Sequence, residues 1–192
     1  MLSSIVSIIL AGIFTDNMVL SKFLGICPFL GVSKKVGTAV SMGGAVTLVM
    51  VLATAVTWPI YHYLLEEKYS YLQTIVFILI IAALVQLLEI VIKRFLKVLY
   101  NSFGIYLSLI TTNCAVLGIT ILNFTDKLNF VQSLFNALGA GLGFTLAMFI
   151  FSGVRVRLES SKIPKILQGL PITLIAAALV SLSFMGFAGI GG

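Results

Sequence analysis

The stretch Gly43–Met50 reads GGAVTLVM, and Gly141–Met148 repeats it loosely as GLGFTLAM, with threonine and methionine at matching places. A second pair of similar stretches is TDNMVL at Thr15–Leu20 and TTNCAVL at Thr111–Leu117. Each member of this pair lies before the corresponding member of the first pair. A preserved order of matches is typical of an internal structural repeat. The sequence therefore predicts a fold made of two similar halves.

The chain that carries this repeat is too apolar for an ordinary water-soluble domain. Of its 192 residues, 60% are hydrophobic and only 9% are charged, whereas soluble domains contain about 25% charged residues. A helix needs about 20 apolar residues to cross the hydrocarbon core of a bilayer. The sequence contains six such runs, at Ser3–Leu24, Thr38–Ile60, Tyr71–Ile92, Leu99–Leu122, Phe130–Val154 and Gln168–Phe187. We predict an all-α integral membrane protein with six transmembrane helices in contact with the lipid bilayer.

The basic residues lie mainly in the connectors between these runs. The first, third and fifth connectors hold nine Lys and Arg residues, and the second and fourth hold only Lys68 and Lys127. Because Lys and Arg concentrate on the cytoplasmic side of a membrane, the odd-numbered connectors are predicted to be cytoplasmic and both termini extracytoplasmic. Scattered basic connectors do not form the clustered wet surface that binds nucleic acid, so no nucleic-acid partner is expected.

Three helices in each half would invert the second half relative to the first. The single membrane domain, residues 1–192, would then consist of repeat one at about residues 1–95 and repeat two at about residues 96–192, related by a two-fold axis in the membrane plane. Such folds place their working groups near the midplane, on interrupted helices. Polar residues interrupt the first and fourth runs, and glycine and proline follow the first, so these two helices are expected to be broken.

The two cysteines of the chain lie beside these breaks. Cys27 follows the first break, and Cys114 lies at the second. Pro28 disfavours helix at Cys27, so the chain there is expected to be non-helical and buried against protein. Amides released at a break can stabilise a thiolate, the form that binds metal. A zinc site or an iron–sulfur cluster takes four ligands, so two thiolates are an incomplete set. In the alternative interpretation, each cysteine is a small apolar core residue.

Three segments of the chain closely resemble one family of bacterial membrane subunits. They are KFLGICPFLGVSKK at Lys22–Lys35, LITTNCAVLG at Leu109–Gly118 and SLSFMGFAGI at Ser181–Ile190. The family contains the A and E subunits of the Rnf complex, which is a ferredoxin:NAD oxidoreductase, and the D and E subunits of the sodium-pumping NADH:quinone reductase. The resemblance is to the A-type members, and it runs from about Asn17 to the C-terminus.

This resemblance implies a cofactor and a set of partners. In the family, two homologous subunits pair in opposite orientations, and each gives two cysteines to one 2Fe-2S cluster inside the membrane. Carried over, Cys27 and Cys114 are half of the ligands, and an E-type subunit supplies the other half. The remaining implied partners are the B, C, D and G subunits of an Rnf complex in the bacterial inner membrane, with electron transfer coupled to sodium or proton transport. The isolated chain is expected to catalyse nothing.

The residues around such a cluster follow from the same resemblance. The candidates for hydrogen bonding near the cluster are Asn17, Thr111, Thr112 and Asn113. The residues that would let the backbone approach it are Gly25, Pro28 and Gly118. A Ser-Gly-Ala-Thr or Ser-Ala-Ala-Thr motif anchors flavin in other subunits of these complexes. This chain lacks both motifs, so no flavin is expected on it.

Two carboxylates and one lysine within the predicted spans are candidates for an ion path: Asp16, Glu89 and Lys22. Acidic residues inside a membrane are functional hypotheses by default. The alternative for Glu89 is a helix ion pair with Lys93, four residues later. The alternative for Asp16 is capping of a half-helix, and Lys22 can pair with Asp16 or reach toward the membrane interface.

Two further features of the sequence and three alternative functions remain. Gly139 and Gly143 have the spacing of a close helix contact, and His62, the one histidine, is expected at the membrane interface beside aromatic residues. The same sequence also fits the equivalent subunit of the sodium-translocating NADH:quinone reductase. A secondary transporter with an inverted repeat and inert cysteines is the alternative from a different class, followed by a purely structural assembly subunit.

Overall fold

The regular secondary structure is all helical in the part of the chain that the structure describes. A computed structural model describes residues 2–28, 36–65, 72–95, 109–110, 113–161, 164 and 167–188. Its helices are α1 (Leu2–Leu10), α2 (Val36–Ile60), α3 (Gln73–Phe95), α4 (Cys114–Thr125), α5 (Phe130–Glu159) and α6 (Leu170–Ala188). A π-helical turn, Ala11–Thr15, continues α1, and another, Tyr61–Leu65, continues α2. The described residues contain no strand, which confirms the predicted all-α class.

Three of the described helices are long and apolar enough to cross a membrane, namely Gly37–Tyr63, Thr74–Val91 and Phe130–Leu158. These agree with the second, third and fifth predicted spans. Three shorter apolar helices cover Val6–Thr15, Cys114–Thr125 and Leu170–Gly186. The first run is interrupted as predicted, because its helix ends at Thr15. In the fourth run, residues 99–108 lie outside the described residues.

Helices α2 and α5 pack against each other at the centre through glycines. A Cβ atom added to Gly43 would lie 2.5 Å from the hydroxyl of Thr145, and one added to Gly141 would lie 2.5 Å from Thr47. The contact is reciprocal, with each helix placing a glycine against the threonine of the other. Each threonine also donates a hydrogen bond to the carbonyl of the glycine in its own helix. The absence of a side chain lets the two helix backbones approach closely.

The π-helical end of α1 packs on α5 through a second set of glycines. A Cβ atom at Gly139 would lie 3.0 Å from the Cα atom of Ile9, and one at Gly143 would lie 2.6 Å from the carbonyl oxygen of Gly12. These neighbours are backbone atoms, which cannot rotate away as a side chain can. The close helix contact predicted for Gly139 and Gly143 is therefore confirmed. It holds the end of the first helix against α5.

One face of α3 has no partner among the described residues. Its exposed side chains are large and apolar, and they include Ile75, Leu79, Leu87 and Ile90. Water would oppose this exposure, whereas hydrocarbon or an apolar protein surface would accept it. The exposed apolar face, together with the membrane-length helices, indicates a multi-pass membrane protein.

We expect alanine at Gly43 or Gly141 to destabilise the protein by about 1–3 kcal/mol, because the new methyl group must displace a branched threonine. Gly44 is the matched control, since a Cβ atom there meets nothing within 4 Å. Gly44→Ala should be neutral or raise stability slightly, because alanine favours helix over glycine. The midpoint of thermal unfolding in detergent measures all three variants. Equal midpoints for Gly43→Ala and Gly44→Ala would contradict the tight crossing.

Candidate functional site

The first helix break is closed by Asn17, whose side chain is only 1% exposed. Its Oδ1 accepts hydrogen bonds from the backbone amides of Val19 (3.0 Å) and Leu20 (3.3 Å). Its Nδ2 donates to the carbonyl of Ile13 at 3.1 Å and to that of Gly143 at 2.8 Å. The amide thus pairs backbone groups that the end of the helix leaves free. It also ties the break to α5.

Asp16 does not cap a half-helix through its side chain, so that alternative is wrong. Its backbone N–H donates to the carbonyl of Ala11 at 2.7 Å and closes the π-helical turn. Its carboxylate is exposed and lies 3.5 Å from the amino group of Lys22, which confirms the predicted pairing. Asn17 pairs both amides and carbonyls at the break because an amide side chain supplies an acceptor and a donor, whereas a carboxylate only accepts.

The second break is closed by Asn113, the N-cap of α4. Its Oδ1 accepts from the amide of Ala115 at 3.0 Å, and the residue is only 4% exposed. Its Nδ2 differs from that of Asn17, because it has no hydrogen-bond partner in the described part of the chain. The second break therefore contains a buried donor that is free, which is a rare feature in folded proteins.

The two breaks contact each other. Gly25 has a φ of +88°, and a Cβ atom on it would lie 3.1 Å from the Oδ1 of Asn113 and 3.1 Å from the Cβ of Ala115. A Cβ atom on Gly118 would overlap the side chain of Leu24. The segment before Cys27 thus lies directly on the segment around Cys114. Gly25 and Gly118 permit this contact because neither has a side chain.

The local conformation predicted for Cys27 is wrong. Residues 26–28 are helical, and Cys27 is exposed, although Gly25 and Pro28 are buried. Proline is tolerated here because the amides of the first helical turn have no partner within the helix. Cys114, the first residue of α4, is exposed as well. Both thiols are therefore open to a second protein.

The residues present fit one half of an iron–sulfur site. The described residues contain no group of three or more His, Cys, Asp or Glu side chains that could hold a metal ion. What they offer is two thiols, the positive end of α4 at Cys114, and the free amide of Asn113. Thiols are the ligands that iron–sulfur clusters use. The missing ligands would have to come from another chain. Thr111 and Thr112, also predicted near the cluster, lie outside the described residues.

The remaining predicted residues lie elsewhere in the helices. Glu89 is half-buried in α3, and the side chain of Lys93 is outside the described part, so their pairing stays a prediction. His62 is exposed and stacks on Trp58 with ring centroids 5.4 Å apart, among aromatic residues as expected. The indole of Trp58 donates to the carbonyl of Leu128 at 3.2 Å.

Ser181, which lies in α6, was not among the residues predicted from the sequence. Its buried hydroxyl donates a hydrogen bond to the carbonyl of Leu20 and joins the last helix to the first break. The one signal in the sequence was a serine within an apolar run, in a segment quoted only for its resemblance. Because many serines in such runs bond to their own helix, the sequence alone does not identify this long-range partner.

The fold and the site define a class: a multi-pass helical membrane protein in which one thiol follows the end of the first helix and the other begins α4. A profile of the Rnf-Nqr subunit family, described as a membrane protein family, matches residues 5–191. The chain belongs to this family.

Curated relatives resemble the chain over nearly its whole length. It is 54% identical to the A subunit of the Na(+)-translocating ferredoxin:NAD(+) oxidoreductase complex of Acetobacterium woodii, with 97% of each chain covered. It is 50% identical to the A subunit of the ion-translocating oxidoreductase complex of Syntrophotalea carbinolica, with 98% of each covered. The A subunit of the proton-translocating ferredoxin:NAD(+) oxidoreductase complex of Clostridium ljungdahlii is 43% identical, with 98% of each covered. These relatives confirm the resemblance to A-type members, and each belongs to an ion-translocating oxidoreductase complex.

Proposed function

We propose that this chain is the A subunit of an Rnf-type complex in the bacterial inner membrane. The complex would pass electrons from reduced ferredoxin to NAD+ and couple this transfer to the movement of sodium ions or protons. The relatives with high identity are named for that activity, and their names include both ions. In this proposal, the B, C, D, E and G subunits are the partners, and no flavin is bound by this chain.

One observation supports the role of this chain: the segments of the two helix breaks are in contact, and each has an exposed cysteine beside it. Cys27 and Cys114 would hold one half of a 2Fe-2S cluster. Such a cluster, when bound, accepts and releases one electron at a time, which divides the roughly 30 Å hydrocarbon core into shorter steps. Two electrons and one proton are needed for each NAD+ reduced to NADH, so two single-electron passages serve one turnover.

The exposure of both thiols supports a shared site. A cluster held by one chain alone needs further ligands nearby, and the described residues offer no group of three. A homologous E-type subunit in the opposite orientation would bring two more thiols to the same surface. Burial between the two subunits would then remove water and lipid from the cluster, and burial and net charge are two of the properties that set its potential.

Inverted repeats are part of the proposal, and the reciprocal contacts of α2 and α5 support them. A two-fold axis through the crossing would exchange Gly43 with Gly141 and Thr47 with Thr145, and both contacts of the pair are present. The same two-fold axis would make the buried hydroxyl of Thr54 equivalent to that of Ser152. Neither hydroxyl has a hydrogen-bond partner among the described residues.

The ion path and the orientation are further parts of the proposal. Asp16 and Lys22 form an exposed pair beside the first break, and Glu89 is half-buried in α3. A carboxylate next to the break can meet a cation at the level where the helix backbone is open. The basic residues of the odd-numbered connectors support a cytoplasmic position for those loops and an extracytoplasmic one for both termini.

The test is the EPR spectrum of the purified complex after partial reduction. We expect Cys27→Ser and Cys114→Ser each to remove the 2Fe-2S signal assigned to the membrane subunits and to abolish ferredoxin:NAD+ activity, with the complex still assembled. Ser21→Ala is the matched control, because Ser21 is exposed at the same break. It should keep the signal. Full retention of the signal in both cysteine variants would reject the ligand assignment.

The same preparation separates the rival functions. The sister quinone reductase would transfer electrons to quinone and show no dependence on ferredoxin. A secondary transporter would move ions without any redox partner, and its cysteine variants would be fully active. The names of the relatives favour the ferredoxin-linked complex.

A further inference from the structure

One buried donor sets the second helix break apart from the first. Among the described residues, Nδ2 of Asn113 is the one buried side-chain nitrogen without a hydrogen-bond partner. The corresponding nitrogen of Asn17 has two acceptors, one of them on α5. Both asparagines use Oδ1 for capping. The free donor is therefore not a requirement of closing a helix break, and its burial costs free energy unless an acceptor arrives.

The position of this donor is defined by its neighbours. Asn113 directly precedes Cys114, and its Oδ1 would lie 3.1 Å from a Cβ atom on Gly25, two residues before Cys27. Nδ2 is bonded to the same carbon as Oδ1, so the whole amide group lies where the two cysteine-bearing segments meet. Cys114 follows Asn113 directly in the chain, so a sulfur acceptor held at Cys114 would lie one residue from this amide.

We propose that Asn113 donates a hydrogen bond from Nδ2 to a sulfur atom of the cluster or of its cysteine ligands, and that this bond raises the reduction potential. The inference rests on the proposed function, since it needs a cluster at Cys27 and Cys114. Reduction adds one electron and no proton, so the sulfur atoms become more negative and accept the hydrogen bond more strongly. A bond that strengthens on reduction favours the reduced form. Asn113 is thus a positioning and tuning residue, while Asn17 holds the first break in place.

Asn113→Ser tests the inference in the complete complex, because serine keeps an N-cap acceptor and its shorter side chain has no atom at the position of Nδ2. In a potentiometric titration followed by EPR, we expect the ratio of reduced to oxidised cluster at a fixed potential to fall about tenfold, which corresponds to a downward shift of about 59 mV for one electron. Asn113→Asp should shift the potential further in the same direction, since it replaces the donor with negative charge. Asn129→Ser changes the N-cap of α5 and should leave the potential unchanged.

A second measurement uses the unmodified chain, in case the substitutions prevent cluster assembly. The complex is produced with asparagine labelled with ¹⁵N at the side-chain amide, and the reduced cluster is measured by pulsed EPR. We expect a ¹⁵N coupling and an exchangeable proton close to the cluster. If Asn113→Ser retains the cluster, the coupling should be absent from its spectrum. A wild-type spectrum without ¹⁵N coupling would overturn the inference.

The outcomes separate this inference from the proposed function. If the cysteine variants keep the 2Fe-2S signal, the proposed function fails, and the inference fails with it. If they lose the signal but Asn113→Ser titrates at the wild-type potential, only the role of Asn113 is rejected. A lowered potential in Asn113→Ser, with an unchanged potential in Asn129→Ser, supports the inference.

Discussion

Alanine at Gly25 is expected to separate the two helix breaks and to remove most of the bound cluster from the complex. Two costs add at this position. Its φ of +88° is strained for any residue with a side chain, and the new methyl carbon would lie 2.9 Å from the ring of Phe144. Strain of this kind costs about 1–3 kcal/mol, and crowding in a packed core costs a similar amount. We expect a loss of stability of about 3 kcal/mol and loss of more than half of the EPR signal.

The substitution Gly169→Ala separates the cost of backbone strain from the cost of crowding. It has a φ of +93°, and a Cβ atom there meets nothing within 4 Å. Gly169→Ala should therefore show the conformational cost alone and keep the cluster. Thermal unfolding of the purified complex and the EPR signal of the same sample give both readouts. If Gly25→Ala matches Gly169→Ala in both, the contact between the breaks does not hold the site together.

Alanine at Asn17 is expected to destabilise the protein by about 3–5 kcal/mol, the second large effect. The substitution removes the acceptor of two amides, those of Val19 and Leu20, and the hydrogen bond to the carbonyl of Gly143. Each buried group left unpaired costs about 1–3 kcal/mol. Hydrogen exchange should accelerate at the amides of Val19 and Leu20, because the helix break opens without its cap.

Asn129→Ala is the control for Asn17→Ala. Asn129 is the exposed N-cap of α5, where loss of the side chain should cost about 1 kcal/mol. The difference in stability loss between the two variants measures what burial and the hydrogen bond to α5 contribute beyond capping. Equal losses of stability in the two variants would mean that the long-range bond of Asn17 contributes nothing.

Several features of the fold were predictable because their causes are local. Apolar runs of membrane length form helices, since hydrocarbon requires that backbone groups pair within the segment. The helix break after Thr15 was predictable from Asp16 and Asn17, and the close contact of α5 from Gly139 and Gly143. The family was recognisable from short segments of the sequence, because each segment is contiguous in the chain.

Two predictions failed, one for a local reason and one for a reason that is distant in the chain. The conformation of Cys27 was predicted from Pro28 alone, and the prediction failed because proline is harmless in a first helical turn. Capping by Asp16, the alternative to its ion-path role, also failed, because the side chain that closes the break is the one that reaches a carbonyl of α5, and that is Asn17. Nothing near Asn17 in the sequence indicates that its side chain bonds to a carbonyl 126 residues away.

The sequence by itself determined an all-helical membrane protein, its family and the two thiols, because hydrophobic length and short motifs act within a segment. Only the tertiary structure decided that the two breaks touch through Gly25 and that both thiols are exposed. It also decided that Asn17 is fully paired, whereas Asn113 has a side-chain donor without a partner among the described residues. The physical reason is that contact, exposure and hydrogen-bond pairing depend on which distant backbone atoms pack nearby.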